Sequence, residues 1–267
     1  FAENNPSSSM RVFDSSENDW SGMFQFIHAS DGKGYFYVGN GSSSESGQIT
    51  TVSITDGTWK HIVCVYDPDG GSTSGKTYIN GSLDSSFNAA AASPNDGNSS
   101  MTIGCMNRTS GTKDKFFEGK LDQVRFFTKA ISSSEVSTLY AETADTVESL
   151  DPLSEDTTGT LQVLGDTSCV ATYQFENNED DLSGNYDGTG YEVQYAVGRY
   201  GQAASFDGSN SYVSGNVAHG DDFSVSAWVY PVSHGYQVFY QARQDSANLI
   251  QVGQDTTGGN GTIAISN

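Results

Sequence analysis

Cysteine is scarce. Cys64, Cys105 and Cys169 stand far apart and match no CxxC or mixed Cys/His spacing, so neither a disulfide framework nor a zinc site is implied. Cys64 lies within the apolar run His61-Ile-Val-Cys-Val-Tyr66 and reads as a small buried hydrophobe. A Cys64–Cys105 bridge is open to it only if the two strands are neighbours. Basic residues are also few: Lys+Arg number 12 against 33 Asp+Glu, a net charge of -21. Such a surplus repels phosphate backbones and anionic leaflets, which removes nucleic acid from the partners. The acidity reads instead as a solvating surface, with cation binding as its alternative use. No apolar run approaches the roughly 18 residues of a membrane helix, so no membrane insertion is expected. His28, His61, His219 and His234 lack metal spacing, and no Gly-x-Ser-x-Gly or P-loop pattern occurs. The chain opens on Phe1, without Met or a signal-type apolar stretch, and reads as an excerpt of a longer protein.

Strand signal is abundant. Thr51-Val-Ser-Ile-Thr55, Lys60-His-Ile-Val-Cys-Val-Tyr66, Lys76-Thr-Tyr-Ile79 and Phe223-Ser-Val-Ser-Ala-Trp-Val-Tyr230 are β-branched or aromatic runs between Gly, Asn, Asp and Pro. Asn80-Gly81 predicts a tight type I′ hairpin, which needs positive φ at both central residues. With 14 Tyr, 14 Phe and short regular strands, the fold class expected is all-β, a two-sheet antiparallel sandwich. One short helix is expected near 132–140. Ser132-Ser-Ser-Glu135 has the form of a capping box, with Ile131 and Val136 placed as a hydrophobic staple. Val136, Leu139 and Tyr140 should be its buried residues.

The chain also repeats itself. Val12-Phe13 through Gln25 lie over Val238-Phe239 through Gln251 at a constant offset of 226 (238 − 12). Both copies carry Asp (Asp19, Asp245) and an apolar-apolar-Gln-apolar run, Met23-Phe24-Gln25-Phe26 and Leu249-Ile250-Gln251-Val252. Residues 1–41 then revisit 227–267, so the chain starts midway through one module and stops midway through the next. Ala141 to Gly159 is acidic and polar, with linker composition. The organisation expected is 1–143 as the second part of one module, 144–168 as an acidic linker, and 169–267 as the first part of another.

An ordered set of segments carries a family resemblance. Asp56-Gly-Thr-Trp-Lys-His-Ile-Val63, Thr77-Tyr-Ile-Asn-Gly81, Met101-Thr-Ile-Gly104, Phe117-Glu-Gly-Lys-Leu-Asp-Gln-Val-Arg-Phe-Phe127 and Ile131 to Tyr140 resemble the second half of a laminin-G-like, concanavalin A-like jellyroll. Thr172-Tyr-Gln-Phe175, Asp181-Leu-Ser-Gly-Asn185, Gly201-Gln-Ala-Ala-Ser-Phe-Asp-Gly208, Tyr212-Val213 and Phe223 to Val229 resemble the first half. Leu161 to Phe175 further resembles module openings in tail and virion proteins of marine bacteriophages. The halves stand in reversed order, so 169–230 is expected to complete 1–140 as a permuted sandwich if Phe223–Val229 contacts the earlier residues. The resemblance implies an extracellular or virion-surface location.

For catalysis, a glycoside hydrolase on this fold needs two carboxylates on one sheet face, roughly 5–10 Å apart. The Glu-x-Asp-x-(x)-Glu strand of laminarinase-like relatives is missing. Glu176, Glu179, Asp180 and Asp181 cluster in a loop-like stretch instead, so no enzyme is expected. The resemblance implies a structural calcium ion, with Asp181 and Asn185 of the opening loop and Asp122 of the closing strand as donors. Their alternative role is to make Asx turns and satisfy backbone. Exposed aromatics at one rim would recognise a ligand, and Trp20, Tyr35, Tyr37, Tyr236 and Tyr240 are candidates by position. The function expected is a non-catalytic adhesion module binding a cell-surface glycan or protein. A ligand-free structural spacer is the alternative, and a degenerate glycoside hydrolase the third reading.

Overall fold

The computed structural model describes residues 23–28, 32–39, 45–89, 99–107, 112–114, 116–144, 161–217, 222–232, 237–243 and 249–254. In chain order the strands are β1 Met23–His28, β2 Lys33–Gly39, β3 Glu45–Ser53, β4 Lys60–Tyr66, β5 Gly75–Ile79 and β6 Ser82–Phe87. Then come β7 Ser99–Ile103, β8 Met106–Asn107, β9 Lys113–Asp114 and β10 Glu118–Phe127. The helix α1, Ser133–Tyr140, is followed by β11 Cys169–Tyr173, β12 Thr189–Tyr191, β13 Gln194–Val197 and β14 Gln202–Asp207. Last are β15 Tyr212–Val217, β16 Phe223–Pro231, β17 Gln237–Arg243 and β18 Leu249–Gln254.

These strands form the two sheets of an all-β, concanavalin A-like sandwich. The first runs β12-β15-β7-β17-β18-β1-β2-β3, and the second β13-β14-β10-β16-β4-β5-β6 with β11 also on β10. Strands from either side of the 145–160 stretch alternate in both. In particular β16 pairs antiparallel with β10 on one edge and with β4 on the other, Phe223 opposite Tyr66 and Val229 opposite Lys60. One pairing departs from the expected antiparallel pattern: β1 and β18 run parallel.

Side-chain alternation explains the layers. On β4, Ile62, Cys64 and Tyr66 join the core between the sheets, with Phe223, Val225 and Val229 of β16, Leu121 and Phe126 of β10, and Phe36 and Val38 of β2. The intervening Val63 and Val65 point the other way, into a second cluster with Phe127, Ile131, Val136, Leu139 and Leu161 beneath α1. Asn80 (φ 49) and Gly81 (φ 79) make the β5–β6 turn with the positive φ pair expected of it. All three cysteines are free and buried, so the optional Cys64–Cys105 bridge is not formed.

The helix starts where the sequence places it. Ser132 Oγ accepts from Glu135 N at 3.3 Å, and Glu135 Oε2 accepts from Ser132 N at 2.6 Å, a complete capping box. Val136 and Leu139 are buried, but Tyr140 is 40% exposed, a correction to the expected helix core. Its ring lies over the Asn80-Gly81 turn, where a Cβ on Gly81 would sit 2.8 Å from it. The described end of the expected linker is packed: Leu161 and Val163 join the cluster under α1, and Asp166 accepts from Lys129 Nζ at 2.5 Å. Removing the capping hydroxyl with Ser132→Ala should cost about 1 kcal/mol, and Leu139→Ala about 2–5 kcal/mol. Urea unfolding followed by tryptophan fluorescence measures both, and equal losses would show that α1 is held by its cap rather than by the apolar cluster.

Candidate functional site

Strand β10 changes partner on one edge. Glu118–Leu121 pair with β14, Val124–Phe127 pair with β11, and between them Asp122 and Gln123 form a bulge. Gln123 takes φ 50, a left-handed conformation that a side-chain-bearing residue holds only when its surroundings impose it. The gap is filled by Asp122. Its Oδ2 accepts from Arg199 N at 2.7 Å and from Tyr200 N at 2.9 Å, the turn between β13 and β14. A Cβ on Gly198 would lie 2.6 Å from that oxygen, so the turn needs glycine to come this close.

The carboxyl is buried, and Oδ1 is among the buried atoms without a partner. Burial pushes its pKa up to about 7, against the pull of the two backbone N–H groups and the Gln123 amide. Arg125, fully buried two residues on, makes a two-pronged pair with Glu142 just beyond α1 (2.8 and 2.7 Å) and donates to Gln123 Oε1 at 3.1 Å. The carbonyl of Glu142 accepts from Tyr200 Oη at 2.8 Å, which closes the network.

The other two residues expected as metal donors sit elsewhere. Asp181 Oδ1 accepts from Thr172 N at 2.7 Å and its Oδ2 from Ser183 Oγ, while Asn185 N donates to Ser183 Oγ at 3.3 Å in the same turn. Asp122 and Asp181 thus serve separate donors, with three of their four carboxylate oxygens committed to protein groups. Among the described residues no group of three or more His, Cys, Asp or Glu side chains comes together where a metal could be held. The trio does not form one calcium donor set, and nothing below depends on a metal.

Of the sequence-selected aromatics, Trp20 and Tyr236 lie outside the described residues. Tyr35 and Tyr37 fall on β2 and Tyr240 on β17, both strands of the first sheet. The aromatic surface with side chains on view belongs to the second sheet, on the face away from the core. There His61, Val63 and Val65 of β4 share parity with Ser224, Ser226, Trp228 and Tyr230 of β16. One end of this face, Val63, Val65 and Phe127, is covered by α1. The other end is an array of rings. Trp59 meets Tyr230 at 5.6 Å between centroids, Trp228 stacks with Tyr140 at 5.7 Å, and Tyr200 stands edge-on to Trp228 at 6.0 Å. His61 lies beneath, 5.1 Å from Trp228, its Nε2 on Ser226 Oγ at 2.9 Å.

Two cations cap the rings. The exposed Arg199 guanidinium lies 4.6 Å over Trp228 and 4.8 Å over Tyr200, and no described residue accepts a hydrogen bond from it. Lys120 Nζ lies 5.7 Å over Tyr230 and donates to Val197 O at 3.1 Å. Sequence reading passed over this surface, because Trp59 and Trp228 come from distant segments. The available signal was the parity of Trp228 and Tyr230, opposite to Phe223, Val225 and Val229.

A two-sheet antiparallel sandwich whose open sheet face carries rings and hydrogen-bond donors is the architecture of a lectin-class jellyroll. The chain belongs to the concanavalin A-like lectin/glucanases superfamily, whose laminin-G-type family model matches residues 2–137. No curated protein and no solved structure matches the chain.

Two buried groups give opposite pH dependences. Asp122, raised from 3.8 to about 7, binds its proton more tightly when folded, so stability is lost as pH rises through that range. His61 is lowered from 6.5 to about 3, by burial first and by the Arg125 charge second, so stability is lost as pH falls through that range. Between 3.8 and 6.5 the two oppose each other. Asp122→Asn keeps an oxygen for Arg199 N and Tyr200 N and removes the falling limb, so its urea midpoint should climb more steeply with pH across this window than wild type. A slope equal to wild type would mean that Asp122 titrates alike in the folded and unfolded chain.

Proposed function

We propose that this chain is a non-catalytic binding module that recognises a glycan on a cell surface, as part of an adhesive protein exposed outside a cell or on a virion. The observation that carries the reading is the ring array of Trp59, Tyr230, Trp228 and Tyr140 under the unpartnered donors of Arg199. Sugars present apolar C–H faces and vicinal hydroxyls together, and a binding surface for them combines flat rings with a few placed donors. The Arg199 guanidinium offers its donors in a fixed fork already seated on two rings, so little side-chain freedom is lost on binding.

The carboxylates favour binding over hydrolysis as the reading. Glu176 accepts from Gln202 N at 3.0 Å, Asp181 from Thr172 N, and Asp207 from Ser209 N, Asn210 N and Ser211 N at 2.8–3.2 Å. Glu179 accepts from the Tyr195 hydroxyl. These acids hold loops, each on its own donors, rather than facing one another across a cleft as an acid and nucleophile must.

Screening on a glycan array followed by calorimetry with the best binder tests this. Arg199→Gln and Tyr230→Ala should each weaken binding about tenfold or more, the range of ring and arginine anchors. Arg199→Gln should leave the melting transition in place, because its side chain is exposed. An array with no binder, or a binder indifferent to both substitutions, would overturn the proposal.

A further inference from the structure

Residues 23–53 carry β1, β2 and β3, and few contacts tie them to the remaining chain. Within the first sheet, among the described residues, the tie is β1 to β18, with Met23 opposite Leu249 and Phe24 opposite Ile250. Those are two residue pairs, whereas β1 pairs five residues with β2 and β17 pairs six with β18. Across the sandwich, Asp84 of β6 accepts from Thr51 N and Thr51 Oγ1, each at 2.7 Å, and from Val52 N at 3.3 Å. Phe36 sets its ring edge-on to Phe87 at 5.1 Å.

The β1–β18 seam joins like to like. Both ends of Leu249–Gln254 lie 226 residues after those of Met23–His28 (249 − 23, 254 − 28), the offset of the sequence repeat, and both bonded pairs keep it. Each copy of the strand has its antiparallel neighbour on the far side, and at the seam it meets its own duplicate in parallel. Parallel pairing is slightly weaker per residue, and two pairs of it are a small obstacle to local opening. The unit ends at a turn between β3 and β4. Asp56, Gly57 and Thr58 are exposed, and the bonds that hold the turn are local: Thr58 N and Oγ1 and Lys60 Nζ all donate to Asp56. Gly57 sits at φ +76 with nothing within 4 Å of an added Cβ.

We propose that residues 23–53 exchange between two copies of this chain. The β1–β2–β3 unit leaves its own β18 and Asp84, swings about Asp56–Thr58, and makes the same contacts with a second copy, which returns its own unit to form a closed dimer. A second copy is the partner because it supplies the same strand edge, the same carboxylate and the same repeat-matched register.

The test uses the full chain. Thr51→Cys and Asp84→Cys are prepared separately, unfolded, mixed and refolded together, then oxidised. Neither variant has the counterpart cysteine in its own chain, and the native cysteines are buried. The expected result is an interchain disulfide between position 51 of one copy and position 84 of the other, identified by peptide mapping, in the mixture and in neither preparation alone. With both substitutions in one chain forming the internal bridge, a mixture that yields no interchain bond overturns exchange. Independently, Gly57→Val strains the closed turn and touches nothing else, so the dimer fraction by light scattering should rise about five- to thirtyfold per hinge. Wild type and Gly57→Val that both stay monomeric at every concentration would overturn it as well.

Discussion

Strand β10 must serve two partners along one edge, and the structure around it follows from how that conflict is settled. A strand that leaves β14 and takes up β11 uncovers backbone donors at the changeover, and buried donors without acceptors are costly. Asp122 answers this with one oxygen shared by Arg199 N and Tyr200 N, and the bulge that aims it there turns Gln123 into the left-handed region. The displaced register delivers Arg125 into the interior, where Glu142 must meet it. A buried pair of this kind adds little net stability over an apolar replacement, but losing one partner is severe, about 3–5 kcal/mol. Its consequence here is positional: it fixes the chain leaving α1, whose Glu142 carbonyl holds Tyr200, and Tyr200 with Trp228 forms the bed of Arg199. The ring array is thus set by the bulge, two strands away from Trp59.

The acid surplus has a structural use that composition alone does not express. Asp84, Glu176, Asp181 and Asp207 each accept backbone N–H groups at an edge or turn, donors that would otherwise face water or another chain. Asp84 is the plainest case, since it spans from the edge of one sheet to the edge of the other and occupies the donors of β3. Edge strands invite pairing with foreign chains, and a carboxylate laid on them is one way to discourage it.

Features set by neighbouring residues were legible in the sequence. The Asn80-Gly81 turn, the Ser132–Glu135 cap and the alternation of β4 and β16 depend on backbone preference and side-chain parity within a few residues. Features set by the meeting of distant strands were not. Asp122 and Asp181 were read as partners in a cation site, yet each is drawn to the nearest unpaired N–H groups, Arg199 and Tyr200 for one and Thr172 for the other. Tyr140 fits the apolar stripe of α1, but the helix ends above the β5–β6 turn, so the ring lies over Gly81 and Trp228 instead of entering the core. The aromatic face escaped notice because parity says which residues share a side of a strand, not which strands will lie together.

That face is open for a reason of dimensions. A helix with its side chains is about 10–12 Å across, whereas a nine-residue strand such as β16 is about 30 Å long. Lying across β10, β4 and β5, α1 covers one end of the sheet and leaves the other to solvent. Composition changes at that limit. The covered end is Val63, Val65, Phe127 and the small Ser224 and Ser226, whose size lets the helix approach. The uncovered end is Trp59, Trp228, Tyr230, Lys120 and Arg199. Bare aliphatic residues there would be a liability to aggregation. Rings seated under cations keep a polar upper surface while retaining flat apolar area, so one sheet face can serve as core at one end and as a contact surface at the other.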